Sequence, residues 1–189
     1  MATRILDIGC GVAKYPGAIG IDYDPNSRAD ILFDLNCYPW PLRSDAFDHF
    51  ICNHIVEHIS DTVRFMCEIH RLGKIGACVQ IVTPHFSNRY SYTDPTHVHH
   101  FSLRTFDCFV APRTVKSNLF TRAFETQHPL PKFYRNPMFQ LVSAQLQLAR
   151  PFRLMGLQRF ANRFPDFYEL YLAFIFPARD IYVELRVIK

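Results

Sequence analysis

The chain has 189 residues, of which 49% are hydrophobic and 15% aromatic, and its formal net charge is +4. This composition excludes a disordered chain and predicts a single globular domain over residues 1–189 with a substantial core. The weak charge argues against nucleic acid as a partner, because nucleic-acid-binding proteins concentrate basic residues in a patch or stripe.

Six cysteines are scattered along the chain without any C-x-x-C pair, several of them within apolar runs. A free thiol in an apolar run packs as a small hydrophobic group, and this usage is typical of a reducing cytosol. No signal peptide precedes the first apolar run, and the longest apolar stretch, YELYLAFIFPA, is too short to span a bilayer. We therefore expect a soluble, cytoplasmic protein.

The first half of the chain alternates short apolar runs with turns. The run RILDI contains Asp7 and is followed by Gly9 and Gly11, which predicts a buried strand that leads into a tight turn. A second strand, in GAIGI, ends at Asp22, and a third, in ADILF, is followed by Asp34. An acidic residue at the end of the second strand is placed to accept hydrogen bonds from ribose hydroxyls.

The segment DAFDHFICNHIVEHI predicts a fourth strand that runs into a helix. Apolar residues of that helix recur at helical spacing, at Val63, Met66, Ile69 and Leu72. The run ACVQIVTP then predicts a fifth buried strand. Such alternation predicts an α/β fold with a Rossmann-like, doubly wound sheet, whose ligands bind at the carboxyl ends of the strands. The turn glycines, the two acids and Asn53 are predicted at that edge.

The stretch CNHIVEHIS contains His54, Glu57 and His58 in an H-x-x-E-H pattern. In inverted zinc proteases this pattern places two metal-binding histidines on one helical face and uses the glutamate as a base. Three fixed residues often match by chance, and His54 is predicted at a strand-to-helix turn. A zinc-dependent hydrolase is therefore the less favoured interpretation, and no metal ligand is assigned.

In order, ILDIGCG, IGIDYDP and FDLNCYPWPLRSDAFDHFICNHIVEHI resemble the class I S-adenosylmethionine-dependent methyltransferases, particularly the type-11 group. The resemblance covers most of residues 4–84. It implies a mostly parallel sheet with an antiparallel C-terminal strand, S-adenosylmethionine as the cofactor and methyl transfer as the activity.

The resemblance also implies which residues bind the cofactor, grouped by the part of the molecule that they contact. The expected set is Asp7, Gly9 and Gly11 with their neighbour Cys10 around the methionine moiety, Asp22 with Tyr23 at the ribose, Asp34 and Leu35 at the adenine, and Asn53 and His54 closing the pocket.

Two features depart from the family pattern. The motif runs G-C-G-V-A-K, so that Lys14 replaces the usual third glycine, and the stretch between Gly11 and Ile19 is too short for a full first helix. The same replacement argues against a nicotinamide dehydrogenase, whose fingerprint is G-x-G-x-x-G. A catalytically idle binding protein that keeps the fold is the alternative that these departures leave open.

The segment after the fifth strand, TPHFSNRYSYTDPTHVHHFSLRTF, concentrates histidines. In class I methyltransferases the corresponding segment commonly faces the acceptor, and methyl transfer to a hydroxyl requires the loss of a proton. A neutral imidazole can take that proton near neutral pH, so His97 or His100 is a candidate base with Asp94 orienting it. A small-molecule or glycan oxygen is therefore the preferred methyl acceptor.

Two other interpretations of this segment stay open. Asp94, His97 and His99 offer nitrogen and oxygen ligands to a metal ion. Alternatively, these residues hold the loop by hydrogen bonds, because clustered titratable groups mark functional sites only probabilistically.

Residues 86–177 are predicted to form a helical lid inserted before the last strand. One helix face is expected from Met138, Leu141, Val142, Gln145, Leu146 and Ala149. A second amphipathic stretch follows Pro151 and mixes aromatic residues with arginines. We expect this lid to cover the sheet and the acceptor pocket. Peripheral contact with an anionic membrane is the alternative, because basic aromatic helices bind such surfaces.

The final run, RDIYVELRVIK, alternates apolar and polar residues, which predicts a half-buried antiparallel strand at the edge of the sheet. Its place agrees with the antiparallel C-terminal strand that the resemblance implies. The sequence does not choose between a monomer and a homodimer.

Overall fold

The computed structural model describes residues 3–111 and 137–189. Its centre is a sheet whose strands lie in the order β3-β2-β1-β4-β5-β7-β6. The strands are β1 (Ile5–Ile8), β2 (Ile19–Asp22), β3 (Ile31–Leu32), β4 (Phe47–Asn53), β5 (Gly73–Pro84), β6 (Phe139–Leu148) and β7 (Ala178–Val187).

The first five strands are mutually parallel, and β7 runs antiparallel to both of its neighbours. The predicted Rossmann-like α/β fold, mostly parallel with an antiparallel C-terminal strand, is thereby confirmed. The prediction that this last strand forms an edge is wrong. β7 lies between β5 and β6, so its apolar residues Ile181, Val183, Leu185 and Val187 are almost fully buried.

The crossover from β4 to β5 is α1 (Thr62–Leu72). Its N-terminus is capped by Asp61, whose carboxylate accepts a hydrogen bond from the backbone N–H of Arg64 at 2.9 Å. The buried face includes Phe65, Met66, Ile69 and Leu72. Three of the four residues predicted for this face are therefore buried, whereas the fourth, Val63, is half-buried.

The remaining described helices are short. They are α2 (Tyr90–Thr93), α3 (Arg150–Leu154), α4 (Leu157–Arg163), α5 (Pro165–Phe167), the 3₁₀ helices Val56–His58 and Thr105–Phe109, and a π-helical turn at Tyr168–Leu172. No helix within residues 3–111 and 137–189 is long and apolar enough to cross a membrane.

The helix predicted from Met138 to Ala149 is wrong, because this segment forms β6. The pairing with β7 shifts register between Leu141 and Ser143, so that Val142 is an extra residue on β6 and is 47% exposed. Such a bulge breaks the two-residue alternation of a strand. The interrupted pattern resembles helical spacing, which explains the error.

The helical lid predicted for residues 86–177 is therefore interrupted by β6, and its residues 112–136 lie outside the described part of the chain. The helical portion after β6 packs on that strand. Asn162 of α4 accepts a hydrogen bond from the N–H of Leu146 at 2.7 Å and donates one to its carbonyl at 2.9 Å. Gln158 accepts from the N–H of Leu148 at 3.2 Å. These bonds cover backbone groups of an edge strand that would otherwise be unpaired.

An ion pair on α1, between Glu68 and partly exposed Arg71, binds the loop before β4. Glu68 is 7% exposed, and its Oε2 accepts hydrogen bonds from the N–H of Trp40 at 2.8 Å and from Nη2 of Arg71 at 2.7 Å. Burial alone raises the pKa of Glu68, but these hydrogen bonds outweigh it and lower the pKa. The pair thereby holds Trp40, whose indole packs edge-on against Phe65, in the core.

Candidate functional site

The turn between β1 and β2 is built around two glycines in the left-handed region. Gly9 has φ +67° and Gly11 has φ +49°. The N–H of Gly9 donates to the carbonyl of Ile21 at 2.8 Å. A Cβ on Gly9 would lie 2.5 Å from side-chain atoms of Ile55, so the position has no room for another residue. The predicted tight turn at the carboxyl end of β1 is present.

Asp22 ends β2 as predicted, and its carboxylate holds this turn. Oδ2 accepts the N–H of Gly11 at 2.8 Å and Oδ1 accepts the N–H of Asp24 at 2.9 Å. Each carboxylate oxygen offers about two acceptor sites, so one backbone bond apiece leaves capacity for ribose hydroxyls. The assignment of the ribose to Asp22 stays a prediction.

Two predicted cofactor residues point into the protein. Asp7 is 4% exposed, accepts the N–H of Tyr15 at 2.7 Å and has a pKa raised by burial. Cys10 is 6% exposed, and burial raises the pKa of its thiol to about 11. These side chains therefore shape the turn, and their place in a cofactor site stays a prediction.

The other predicted cofactor residues follow β2, β3 and β4 at the same edge of the sheet. Tyr23 is 74% exposed, and Asp34 and Asn53 are exposed, so their side chains are free to contact a ligand. Leu35 is 3% exposed, and its carbonyl accepts the indole N–H of Trp40 at 3.1 Å. Its side chain belongs to the core, and its assignment to the adenine stays a prediction.

Residues 9–18 contain no helix, in agreement with the short segment noted in the sequence. Pro16 and Gly17 follow directly after Tyr15, and both residue types interrupt helices. Lys14, at the place of the third glycine, binds both carboxylate oxygens of Asp30 at 2.8 and 2.9 Å. The β1–β2 connection is thus held by an ion pair instead of a helix.

A cavity of about 940 Å³ opens at the carboxyl ends of β4 and β5. Its walls come from the segment after β4, the segment after β5 and the start of β7. The lining residues are His54, Glu57, His58, Pro84, Asn88, Tyr90, Thr93, Asp94, Pro95, His97, Arg179 and Asp180. Of the predicted lid, residues within 88–97 line this cavity, whereas none of residues 137–177 does.

The cavity wall nearest the glycine turn carries a charged group of three residues. His54 has φ +51°, and its Nδ1 is 3.3 Å from Oε1 of Glu57, which raises the pKa of His54. Asp180 faces the same wall because it pairs with Pro84 across β5 and β7, and burial raises the pKa of Asp180. Glu57 is 1% exposed, and its Oε2 accepts the hydroxyl of Thr83 at 3.0 Å.

The predicted base candidates are separated by the structure. His97 lines the cavity, and its Nδ1 is 3.2 Å from the carbonyl of Ser91. His100 is exposed, does not line the cavity, contacts the hydroxyl of Ser91 at 2.9 Å through Nδ1 and stacks on Tyr92. Of the two, His97 is the one that lines the cavity.

Asp94 does not orient His97 as a hydrogen-bond partner. The shortest approach, from Oδ2 to Nε2 of His97, is 3.9 Å, which is too long for a hydrogen bond. Asp94 instead accepts the hydroxyl of Thr96 at 2.7 Å, which lowers the pKa of Asp94. The orienting partner of His97 is the backbone carbonyl of Ser91, which no residue-type pattern in the sequence indicates.

The metal set considered in the sequence, Asp94 with His97 and His99, is not brought together. His99 Nε2 contacts the carbonyl of Ser60 at 3.2 Å. Instead, one potential ligand atom from each of Glu57, His58 and His97 lies within 4.8 Å of the other two. The H-x-x-E-H pattern supplies only two of these, because Val56–His58 is a three-residue 3₁₀ helix and His54 precedes it. The two histidines therefore do not share one face of an α-helix, as the zinc-protease arrangement requires.

Residues 6–81 match a family model described as a methyltransferase domain. The fold resembles that of an S-adenosylmethionine-dependent methyltransferase from Archaeoglobus fulgidus, with a TM-score of 0.58 and 18% identity over 98% of this chain and 86% of that one. A second, from Mesorhizobium loti, has a TM-score of 0.56 and 15% identity over 97% and 90%. Phosphoethanolamine N-methyltransferase 2 of Haemonchus contortus, solved with S-adenosyl-L-methionine, has a TM-score of 0.58 and 12% identity over 100% and 49%. No curated protein matches the chain.

Proposed function

We propose that this chain, whose residues 6–81 match a family model for a methyltransferase domain, uses S-adenosylmethionine to methylate an oxygen atom of a small molecule or sugar. The observation that carries the proposal is the position of the 940 Å³ cavity, which opens at the same edge of the sheet as the glycine turn. Cofactor and acceptor sites at one edge allow the methyl carbon and the nucleophile to meet in line.

The adenosyl part of the cofactor is assigned to the carboxyl ends of β1 to β3. Gly9 and Gly11 leave the backbone bare for close approach, and Asp22 keeps acceptor capacity for ribose hydroxyls. The methionine part then extends toward His54, where β4 ends and the cavity begins. The sulfonium carries a positive charge, which the nearby carboxylates of Glu57 and Asp180 favour.

The acceptor is assigned to the cavity, with His97 as the proton acceptor. The carbonyl of Ser91 can only accept, so the Nδ1 of His97 carries the ring hydrogen and Nε2 keeps a lone pair. That lone pair can remove the proton of a hydroxyl as the oxygen attacks the methyl carbon. The leaving group is neutral S-adenosylhomocysteine, so charge is balanced when His97 gains the proton.

A catalytically idle binding protein is the second candidate. It is favoured by the lack of any helix in residues 9–18, which leaves the cofactor groove with fewer walls than a full first helix provides. The two candidates differ in cofactor affinity, because an idle relative has no need to retain it.

Two titrations test the proposal. In calorimetry, the unmodified protein should bind S-adenosylmethionine, and Asp22→Asn should weaken binding tenfold or more, because a hydrogen bond to a charged acceptor contributes about 1.5–3 kcal/mol. Asp24→Asn is the matched control, since the hydrogen bonds that Oδ1 of Asp24 accepts within the described residues come from Asn26. Unchanged affinity in Asp22→Asn would refute the ribose assignment, and no binding by the unmodified protein would favour the idle candidate.

Methyl transfer is then followed with radiolabelled S-adenosylmethionine and a panel of hydroxylated small molecules and sugars. His97→Ala should reduce turnover about 10²–10⁴-fold with cofactor affinity intact. His99→Ala removes a histidine two residues away that contacts the carbonyl of Ser60, and should retain turnover. Full turnover in His97→Ala would eliminate the base assignment.

A further inference from the structure

His97 meets the consecutive residues Glu57 and His58 in the cavity, although it follows them by about forty residues in the sequence. Their potential ligand atoms lie within 4.8 Å of one another, and the two imidazole rings are 4.6 Å apart, edge to face. Ligand atoms about 2.1 Å from a tetrahedral ion lie about 3.4 Å from one another. Small side-chain rotations are therefore enough to close this group, the Glu57–His58–His97 cluster, around an ion.

Hydrogen bonds fix the tautomer of His58. Its Nδ1 is 2.9 Å from the hydroxyl oxygen of Thr96, and that hydroxyl donates its own hydrogen to Oδ1 of Asp94 at 2.7 Å. A hydroxyl has one hydrogen to donate, so the oxygen of Thr96 accepts from His58. Nδ1 of His58 therefore carries a hydrogen, and Nε2 is the ring nitrogen left for a ligand.

His97 has the same tautomer for a simpler reason. Its Nδ1 faces the carbonyl of Ser91 at 3.2 Å, and a carbonyl only accepts. In both rings of the cluster Nδ1–H is held by an acceptor, which leaves Nε2 as the nitrogen available to ligate an ion. Metal-binding histidines are held in this way, because the outer hydrogen bond fixes the ring orientation and raises the basicity of the ligating nitrogen.

Glu57 provides an independent indication of a bound cation. Its side chain is 1% exposed, and Oε2 accepts the hydroxyl of Thr83. Oε1 is also buried but makes no hydrogen bond within the described residues. Its charged contact there is with Nδ1 of His54, at 3.3 Å. A buried carboxylate oxygen without a hydrogen bond is costly. Coordination to a metal ion would compensate that cost.

The donor set decides the class of ion. Two imidazole nitrogens with one carboxylate suit Zn²⁺, Fe²⁺ and Co²⁺, whereas Mg²⁺ and Ca²⁺ prefer oxygen ligands alone. Three protein ligands leave a coordination position for water or for an oxygen of a bound molecule. We propose that Glu57, His58 and His97 form a binding site for a divalent first-row transition-metal ion, with its open position facing the cavity.

This site goes beyond the proposed methyl transfer and does not depend on it, because ion binding needs no cofactor. If the protein both binds an ion and transfers a methyl group, the ion and the proton of the acceptor compete for Nε2 of His97. An ion bound there prevents Nε2 of His97 from accepting a proton, so the ion would itself favour the ionised form of a bound hydroxyl.

Calorimetric titration of chelator-treated, metal-free protein with ZnCl₂, in the absence of S-adenosylmethionine, tests the site. We expect one Zn²⁺ per chain and much weaker binding of Mg²⁺. His58→Ala, His97→Ala and Glu57→Gln should each weaken Zn²⁺ binding at least tenfold, and His99→Ala should not. Zn²⁺ should also raise the melting temperature of the unmodified protein and of His99→Ala, because an ion that binds the folded state stabilises it. The cooperative melting transition shows in addition that both proteins are folded.

A positioning variant separates this site from incidental binding by surface histidines. Thr96→Val removes the acceptor that holds Nδ1 of His58 without removing a ligand, and should weaken Zn²⁺ binding about tenfold. No Zn²⁺ binding, equal affinity in the three ligand variants and the unmodified protein, or equal affinity for Mg²⁺ would each overturn the proposal. Because the Zn²⁺ titration contains no S-adenosylmethionine, a failure of the metal site leaves the cofactor-binding result for Asp22→Asn unaffected. A failure of cofactor binding likewise leaves the Zn²⁺ titration unaffected.

Discussion

Replacing Gly9 by alanine tests whether the glycine turn is held open by its backbone conformation and by contact with Ile55. A side chain at φ +67° costs about 1–2 kcal/mol. The new Cβ would also lie 2.5 Å from Ile55, and overpacking of this kind costs about 1–3 kcal/mol. Together these give about 3.5 kcal/mol. For a chain of this size, that lowers the melting temperature by about 7–14 °C.

Gly17→Ala is the matched control. Gly17 has φ +78°, and a Cβ there meets nothing within 4 Å. Only the conformational cost applies, so the melting temperature should fall by about 3–6 °C. Thermal unfolding followed by circular dichroism measures both variants.

A double mutant isolates the contact. Ile55→Ala alone removes a buried side chain and should destabilise the protein, but in the Gly9→Ala background it also removes the overlap. The double mutant should therefore be about 1–3 kcal/mol more stable than the sum of the single changes predicts. Additive effects, or equal loss of stability in Gly9→Ala and Gly17→Ala, would refute the reasoning.

Two further predictions concern the core and the surface. The pKa of Glu68 is lowered in the folded protein, so its ion pair with Arg71 stabilises the fold above the unfolded pKa of about 4.5, and that contribution is lost as the pH falls below this value. Glu68→Gln should therefore lower the free energy of unfolding at pH 7 and reduce the dependence of that free energy on pH in the acid range. An unchanged dependence on pH in the acid range would contradict this. Leu154 is 80% exposed in a stretch that contains Arg150, Arg153 and Arg159, and Phe174 is 77% exposed. The protein should therefore sediment with anionic vesicles, and sedimentation should decrease at high salt and in Phe174→Ser but not in Ile75→Ser, a change at another exposed site. Sedimentation that is insensitive to salt and to Phe174→Ser would remove the membrane interpretation.

The sequence predicted the first five strands because each carries its own local signal. Gly9 and Gly11 mark the first turn, and acids end or follow the next two strands. The error at residues 138–149 has a local cause as well, since the bulge at Val142 disturbs the alternation by which a strand is identified. Where the backbone follows regular geometry, the residue pattern is sufficient, and where it departs, the pattern misleads.

The candidate site was predicted only in part, because its contacts are not local in sequence. His97 was identified from its histidine-rich segment, but its partners Glu57 and His58 lie about forty residues earlier and were interpreted as a separate motif. Arg179 and Asp180 reach the cavity through pairing of β7 with β5, which no short pattern encodes. The sequence signal available for Arg179 and Asp180 was that two charged residues stand together at the start of a strand that otherwise alternates apolar and polar residues.

The placement of β7 has a consequence for how the protein matures during translation. β6 leaves the ribosome earlier than β7, yet β7 is the strand that joins β6 to β5. Until β7 is synthesised, β6 lacks the strand with which it pairs in the described sheet, and β5 presents an unpaired hydrogen-bonding edge to its surroundings. The nascent chain therefore passes through a stage vulnerable to aggregation, and chaperone demand should be highest just before residues 178–187 emerge.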